Sequence, residues 1–141
     1  MISLKKMFFY GMTLVSLNLL SCNKESLTEV VEETDYLAPL IGTWQMLEQN
    51  NQHVPYDVKK IFSRNNSYTF SVEDTINHSF RSFRASIYEI NESKYKAEIK
   101  EQYGEWHVNA IGRLEEWNYR IIGNQLYEDG NEELYNVYIK K

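Results

Sequence analysis

Downstream of position 40, apolar and polar residues alternate with period two along most of this chain. Residues 94–102 are the clearest case. Tyr95, Ala97 and Ile99 alternate there with Lys94, Lys96, Glu98 and Lys100, as in a strand with one wet face. Gly42–Gln49 reads as the opening strand, and residues 67–73 place Tyr68, Phe70 and Val72 on one face. Ser79–Ile90 is longer and changes phase between Phe80 and Phe83, which predicts a bulge. After a turn at Tyr103-Gly104, Trp106, Val108 and Ala110 resume the alternation up to a kink at Gly112. Trp117, Tyr119 and Ile121 lead into Gly123-Asn124, a hairpin signal; residues 125–128 return and Asp129-Gly130 turns again. Tyr135, Val137 and Ile139 form the last strand. One segment departs from period two. Val54, Val58, Ile61 and Phe62 fall at helical spacing, with Pro55 in the first turn and Asp57 at the positive end of the dipole. Residues 54–62 therefore predict a short helix, too short to stand alone and bound to dock on the sheet.

The expected architecture is mainly β: a compact antiparallel up-and-down barrel of about eight strands, with one short helix after the first strand. Short sequential hairpins give that order, and closure removes the edges. The inward set is Tyr68, Phe70, Tyr95, Ile99, Trp106, Val108, Trp117, Tyr119, Ile121, Tyr135 and Val137. An eight-stranded barrel is just wide enough to be filled by side chains or to hold one small ligand. So many aromatics favour filling, yet phenolic hydroxyls in a closed interior need partners, which a polar ligand would also supply. Both readings stay open.

The first 40 residues follow other rules. Lys5 and Lys6 precede a nearly unbroken apolar run over residues 7–20, and Ser21 stands before Cys22, the chain's single cysteine. A basic head, an apolar stretch and a small residue at the cut site mark a secretory signal. The run is shorter than the roughly 20 apolar residues a membrane-spanning helix needs. Residues 23–38 carry Glu25, Glu29, Glu32, Glu33 and Asp35 against Lys24 alone. Such a stretch cannot bury enough apolar surface to offset its ordering entropy, so it reads as a flexible acidic tether. The whole chain has a formal net charge of −5, and the charges nearly balance from Pro39 onward. Without a basic stripe, nucleic acid is not an expected partner. With Cys22 committed, no cysteine remains for a disulfide or zinc site.

Leu19-Leu20-Ser21-Cys22 resembles the lipobox of a bacterial lipoprotein leader. The resemblance implies a signal peptide over residues 1–21, acylation of Cys22 with palmitate-type chains, a tether over residues 22–38 and a folded domain over residues 39–141. Two or more acyl chains suffice for stable anchoring. The partner is then a membrane, reached through lipid, and the location is the cell envelope. Asn23 after the acylated cysteine favours the outer membrane, on its periplasmic or surface face.

Leu40-Ile41-Gly42-Thr43-Trp44 is similar to the Gly-x-Trp opening of lipocalins, and residues 117–126 with 135–140 are similar to the closing strands of compact lipocalin-like lipoproteins. Gly42, Trp44 and Arg120 are the structural signature this implies. Trp44 would plug the closed end, and an arginine from a late strand, Arg120 or Arg113, would lie across it. The lipocalin Thr-Asp-Tyr motif follows the tryptophan, whereas Thr34-Asp35-Tyr36 precedes it here, and the domain is short, which implies a small cavity or none. A lipocalin-like module would bind a small apolar or amphipathic molecule through Tyr68, Phe70, Tyr95, Trp106, Trp117, Tyr119 and Tyr135. The alternative is a solid-cored interaction module for an envelope protein, a hydrolase inhibitor or accessory subunit of a surface complex.

No catalytic signature is present: no phosphate-cradling glycine loop, no serine elbow, no paired-histidine zinc motif. An enzyme is not expected, nor a cofactor or metal. His53, His78 and His107 are isolated in sequence. Residues 128–133 are acidic but lack EF-hand spacing and read as a charged hairpin tip. Glu115 and Glu116 are adjacent, so on a strand they point to opposite faces. Asp74-Thr75-Ile76 resembles a short bacterial O-glycosylation acceptor.

Overall fold

The computed structural model describes residues 34–130 and 134–141. The leader, Cys22 and the tether up to Glu33 lie outside the described residues, as does the tip at residues 131–133.

Nine strands form one antiparallel sheet: β1 (Gly42–Gln49), β2 (Gln52–His53), β3 (Asp57–Ser63), β4 (Ser67–Asp74), β5 (Ser79–Ile90), β6 (Lys94–Tyr103), β7 (Leu114–Ile122), β8 (Gln125–Gly130) and β9 (Tyr135–Lys140). β1 and β3 to β9 pair in chain order, and β1 also pairs with β9. The result is a closed eight-stranded up-and-down barrel, with β2 as a short extra strand on β1. Every strand of the ring lies within the compact unit Thr34–Lys141. Among the described residues there is no helix.

The expected helix at residues 54–62 is corrected to a loop followed by β3. Val58, Lys60 and Phe62 point inward and alternate with Asp57, Lys59 and Ile61. β3 pairs with β1 from Gly42↔Phe62 to Gln45↔Lys59, and with β4 along its whole length. A helix would leave two open edges, whereas the strand satisfies both and closes the ring. The expected strand at residues 106–110 is corrected in the opposite sense. Those residues belong to a long β6–β7 loop, where Ala110 N donates to Gln102 Oε1 (2.8 Å) and Gln102 Nε2 to Val108 O (3.1 Å). Gly104 (φ 82°) and Gly112 (φ 85°) take left-handed turns at the two ends of the loop. Val108 is consequently exposed. The bulge in β5 also moves: its register against β6 shifts at Arg84/Ala85 and Ile87/Glu89, not at Phe80, which faces solvent.

One end of the barrel is plugged. The turn at residues 36–40 buries Leu37 and Leu40, and Asp35 Oδ1 accepts hydrogen bonds from the Leu37 and Ala38 amides (both 3.1 Å). Leu37 thus joins the core although it lies in the segment expected to be tether. Trp44 is fully buried there, and its indole N–H donates to Leu40 O at 2.6 Å. Burying an aromatic of this size contributes on the order of 5 kcal/mol. Lys140, not Arg120 or Arg113, holds the cation over Trp44, 5.1 Å from the ring centroid. Gly42 (φ 127°) gives Lys140 room, since a Cβ there would meet its Cε at 3.2 Å. Arg120 lies instead over Tyr127 (4.9 Å), on the outer face.

Candidate functional site

The centre of the barrel holds a charge. Lys60 on β3 and Glu128 on β8 are both fully enclosed, with Lys60 Nζ 2.8 Å from Glu128 Oε2 and 3.1 Å from Oε1. Lys60 Nζ also donates to Tyr95 Oη (2.6 Å), and the Tyr95 hydroxyl donates to Glu128 Oε1 (2.5 Å). Around the ammonium stand the rings of Tyr68 (4.5 Å), Trp117 (4.6 Å), Tyr95 (5.3 Å), Phe62 (5.7 Å) and Tyr138 (5.9 Å). A buried ion is tolerated only when paired and ringed by such groups. Burial first, and then the Glu128 carboxylate, push the Tyr95 and Tyr138 phenols well above their usual range. Burial followed by Glu115 does the same to Tyr68. All three phenols are neutral at ordinary pH, and those of Tyr68 and Tyr95 donate to carboxylates.

Beside this cluster, toward the end opposite the Trp44 plug, lies a cavity of about 230 Å³. Met46, Phe70, Phe83, Trp117 and Tyr138 supply its apolar walls, and Lys60, Arg113, Glu115 and Asn136 its polar ones. Phe70 and Phe83 stack with centroids 5.2 Å apart. Gly130 is required by Trp117: a Cβ there would lie 2.7 Å from the indole. Glu115 is half-buried; its Oε2 accepts from the Tyr68 hydroxyl and from Trp117 Nε1 (3.3 Å). Glu116 points outward and pairs with Lys94 (2.5 Å), so the two adjacent carboxylates do face opposite ways.

Of the seven expected ligand-contacting aromatics, only Phe70 and Trp117 line this cavity. Tyr68 and Tyr95 belong to the ion-pair cluster. Tyr119 sits nearer the plugged end, its hydroxyl donating to Asn91 O at 2.7 Å. Trp106 is corrected to the β6–β7 loop, its indole N–H on Tyr103 O (3.0 Å) and Arg81 4.9 Å above its ring. Tyr135 is corrected to the outer face beside Tyr127, 6.4 Å between centroids. The inward residues of β9 are Asn136 and Tyr138, opposite Glu128 and Leu126; the phase expected for Tyr135, Val137 and Ile139 is inverted.

Lys60, Glu128, Glu115, Tyr138 and Phe83 were not among the expected site residues. Glu128, read as part of a charged tip, is instead an interior residue of β8. Period two was the available signal: Lys60 stands between Val58 and Phe62, and Glu128 two places after Leu126. His53, His78 and His107 are all exposed. Among the described residues no group of three or more His, Cys, Asp or Glu could hold a metal ion. Thr75 is exposed on the β4–β5 hairpin, where Asp74 Oδ1 accepts from the Ile76 and Asn77 amides (both 3.0 Å). No family model, curated protein or solved structure matches the chain.

Proposed function

We propose that this protein is a lipid-anchored envelope protein whose lipocalin-like barrel binds one small amphipathic molecule and performs no chemistry of its own. The observation that carries the reading is the cavity of about 230 Å³ at the unplugged end, walled by aromatics and set against a fixed polar cluster. Pockets of about 300 to 1,000 Å³ hold drug-sized ligands, so this one suits a smaller molecule. The Gly42–Trp44 opening and the plug it forms support the lipocalin-like comparison. The leader and Cys22 support acylation and an outer-membrane site.

A solid interaction module is the second reading, favoured by one observation. Phe80, Tyr103, Val108, Ile111 and Leu114 are all exposed where β5 begins and the β6–β7 loop runs, and apolar clusters of that kind mark protein contacts. Native mass spectrometry of residues 23–141, recovered gently from the producing cell, separates the two. A co-purifying small molecule, or one taken up from lipid extracts, supports the carrier; a clean apo mass under both conditions removes it. Palmitate labelling that is lost in Cys22→Ser tests the anchor separately.

A further inference from the structure

The charges lining the cavity are not all matched. Lys60 is balanced by Glu128 inside the barrel, and Glu116 by Lys94 outside it. Arg113 is exposed, lines the cavity and makes no ion pair among the described residues. That leaves Glu115, half-buried, with no cation within 4.0 Å among the described residues. Both donors it has are neutral and both reach the same oxygen, Oε2. No donor among the described residues reaches Oε1. Oε1 is therefore free to accept a hydrogen bond from a group that enters the cavity, and a charged donor makes the stronger bond to a carboxylate.

Resting on the reading of this cavity as a ligand site, we propose that its ligand is a small organic cation: a protonated amine bearing an apolar group. The ammonium donates to Glu115 Oε1, and the apolar group lies among Trp117, Phe70 and Phe83, whose ring faces attract positive charge. A carboxylate ligand would set like charge against Glu115; Lys60 is already held by Glu128 and Tyr95, and the one cation left to meet it, Arg113, is exposed, where water screens its charge. A neutral ligand would leave Oε1 to water and forgo the charge-assisted hydrogen bond that an ammonium makes there.

Titration of residues 23–141, which contain the whole closed ring, with 2-phenylethylamine, phenylacetate and 2-phenylethanol tests this by calorimetry. The amine is expected to bind at least about tenfold more tightly than either other probe. Glu115→Gln keeps an acceptor for Tyr68 and Trp117, so the fold is retained. It is expected to weaken the amine about tenfold while leaving the alcohol unchanged. Preference for phenylacetate or phenylethanol, or an amine affinity indifferent to Glu115→Gln, overturns the cation assignment and leaves the carrier standing. Failure of all three probes, together with no uptake from lipid extracts, removes the carrier and the cation assignment with it.

Discussion

Replacing Lys60 by methionine removes the cation from the middle of the barrel and leaves Glu128 enclosed with only neutral donors. Breaking a buried pair from one side destabilises by about 3–5 kcal/mol, because the surviving charge is neither solvated nor matched. Several ring contacts to the ammonium go with it, each worth about 0.5–2 kcal/mol and not additive. Against a total stability of about 5–15 kcal/mol for a domain of ordinary size, the variant sits near the edge of folding. Adding Glu128→Gln neutralises the leftover charge while keeping an acceptor for the Tyr95 hydroxyl. The double variant is therefore expected to recover to within about 2 kcal/mol of the parent. The assay is equilibrium urea unfolding of residues 23–141, followed by tryptophan fluorescence, with a constant m-value as the check that only stability has changed.

The coupling energy in this cycle decides the matter. In an interior pair the double variant loses far less than the sum of the singles; independent surface residues add within about 0.5 kcal/mol. A loss under about 1 kcal/mol in Lys60→Met, or a double variant as weak as the sum of the singles, would refute the enclosed ion pair.

Three further outcomes follow from the same interior. Stability is expected to fall above about pH 10. The raised phenols of Tyr68, Tyr95 and Tyr138 stay protonated in the fold while the unfolded chain ionises, giving a slope of up to about 4 kcal/mol per pH unit for three groups. Tyrosinate absorbance should then rise together with unfolding; a separate early rise for these three would contradict their burial. Gly130→Ala forces the Trp117 indole off the β8 backbone, at about 1–3 kcal/mol, and a Trp117→Leu background should relieve most of the loss. Trp44→Phe leaves the Leu40 carbonyl without its donor and a void in the plug, so about 2–4 kcal/mol is expected to be lost by thermal or urea unfolding.

Strands with a wet outer face were legible: β4, β6 and β7 place Tyr68, Phe70, Tyr95, Ala97, Ile99, Trp117 and Tyr119 as the alternation requires. The failures share a cause, which is that this interior is not uniformly apolar. Val58-Lys59-Lys60-Ile61-Phe62 fits both periods. The helical reading keeps both lysines in water, which is where lysine ordinarily lies, whereas the strand buries Lys60. What decides is Glu128, 68 positions away, and no local window contains it. β9 repeats the problem: its more apolar face is Tyr135, Val137 and Ile139, but Asn136 and Tyr138 face inward opposite Glu128 and Leu126. The expected count of eight strands matches the ring only because the missed β3 offsets the strand wrongly expected at Trp106. Of the candidate site, Phe70 and Trp117 were readable as inward aromatics. In the sequence Glu115 stands out only as the neighbour of Glu116, and its role appears once Tyr68 and Trp117 close on it.

An ion pair in a core is weak evidence for stability, since well-packed apolar residues of similar volume often do as well or better. Its place in this barrel suggests another role. β3 and β8 do not adjoin; β1 and β9 lie between them on the shorter side of the ring, so the Lys60–Glu128 contact crosses the interior rather than following the wall. It requires one register for β3, because a one-residue slip would turn Lys60 outward and bring Lys59 or Ile61 in. It also stands between the filled half around Trp44 and the half that holds the cavity, whose lining includes Lys60. We infer that the brace keeps the barrel from closing over that space, a task an apolar pair that packs closer would not perform. The Lys60→Met/Glu128→Gln variant tests this apart from stability. Retained cooperative unfolding with lost ligand uptake supports the brace, and uptake equal to the parent's would show that the cavity stands without it.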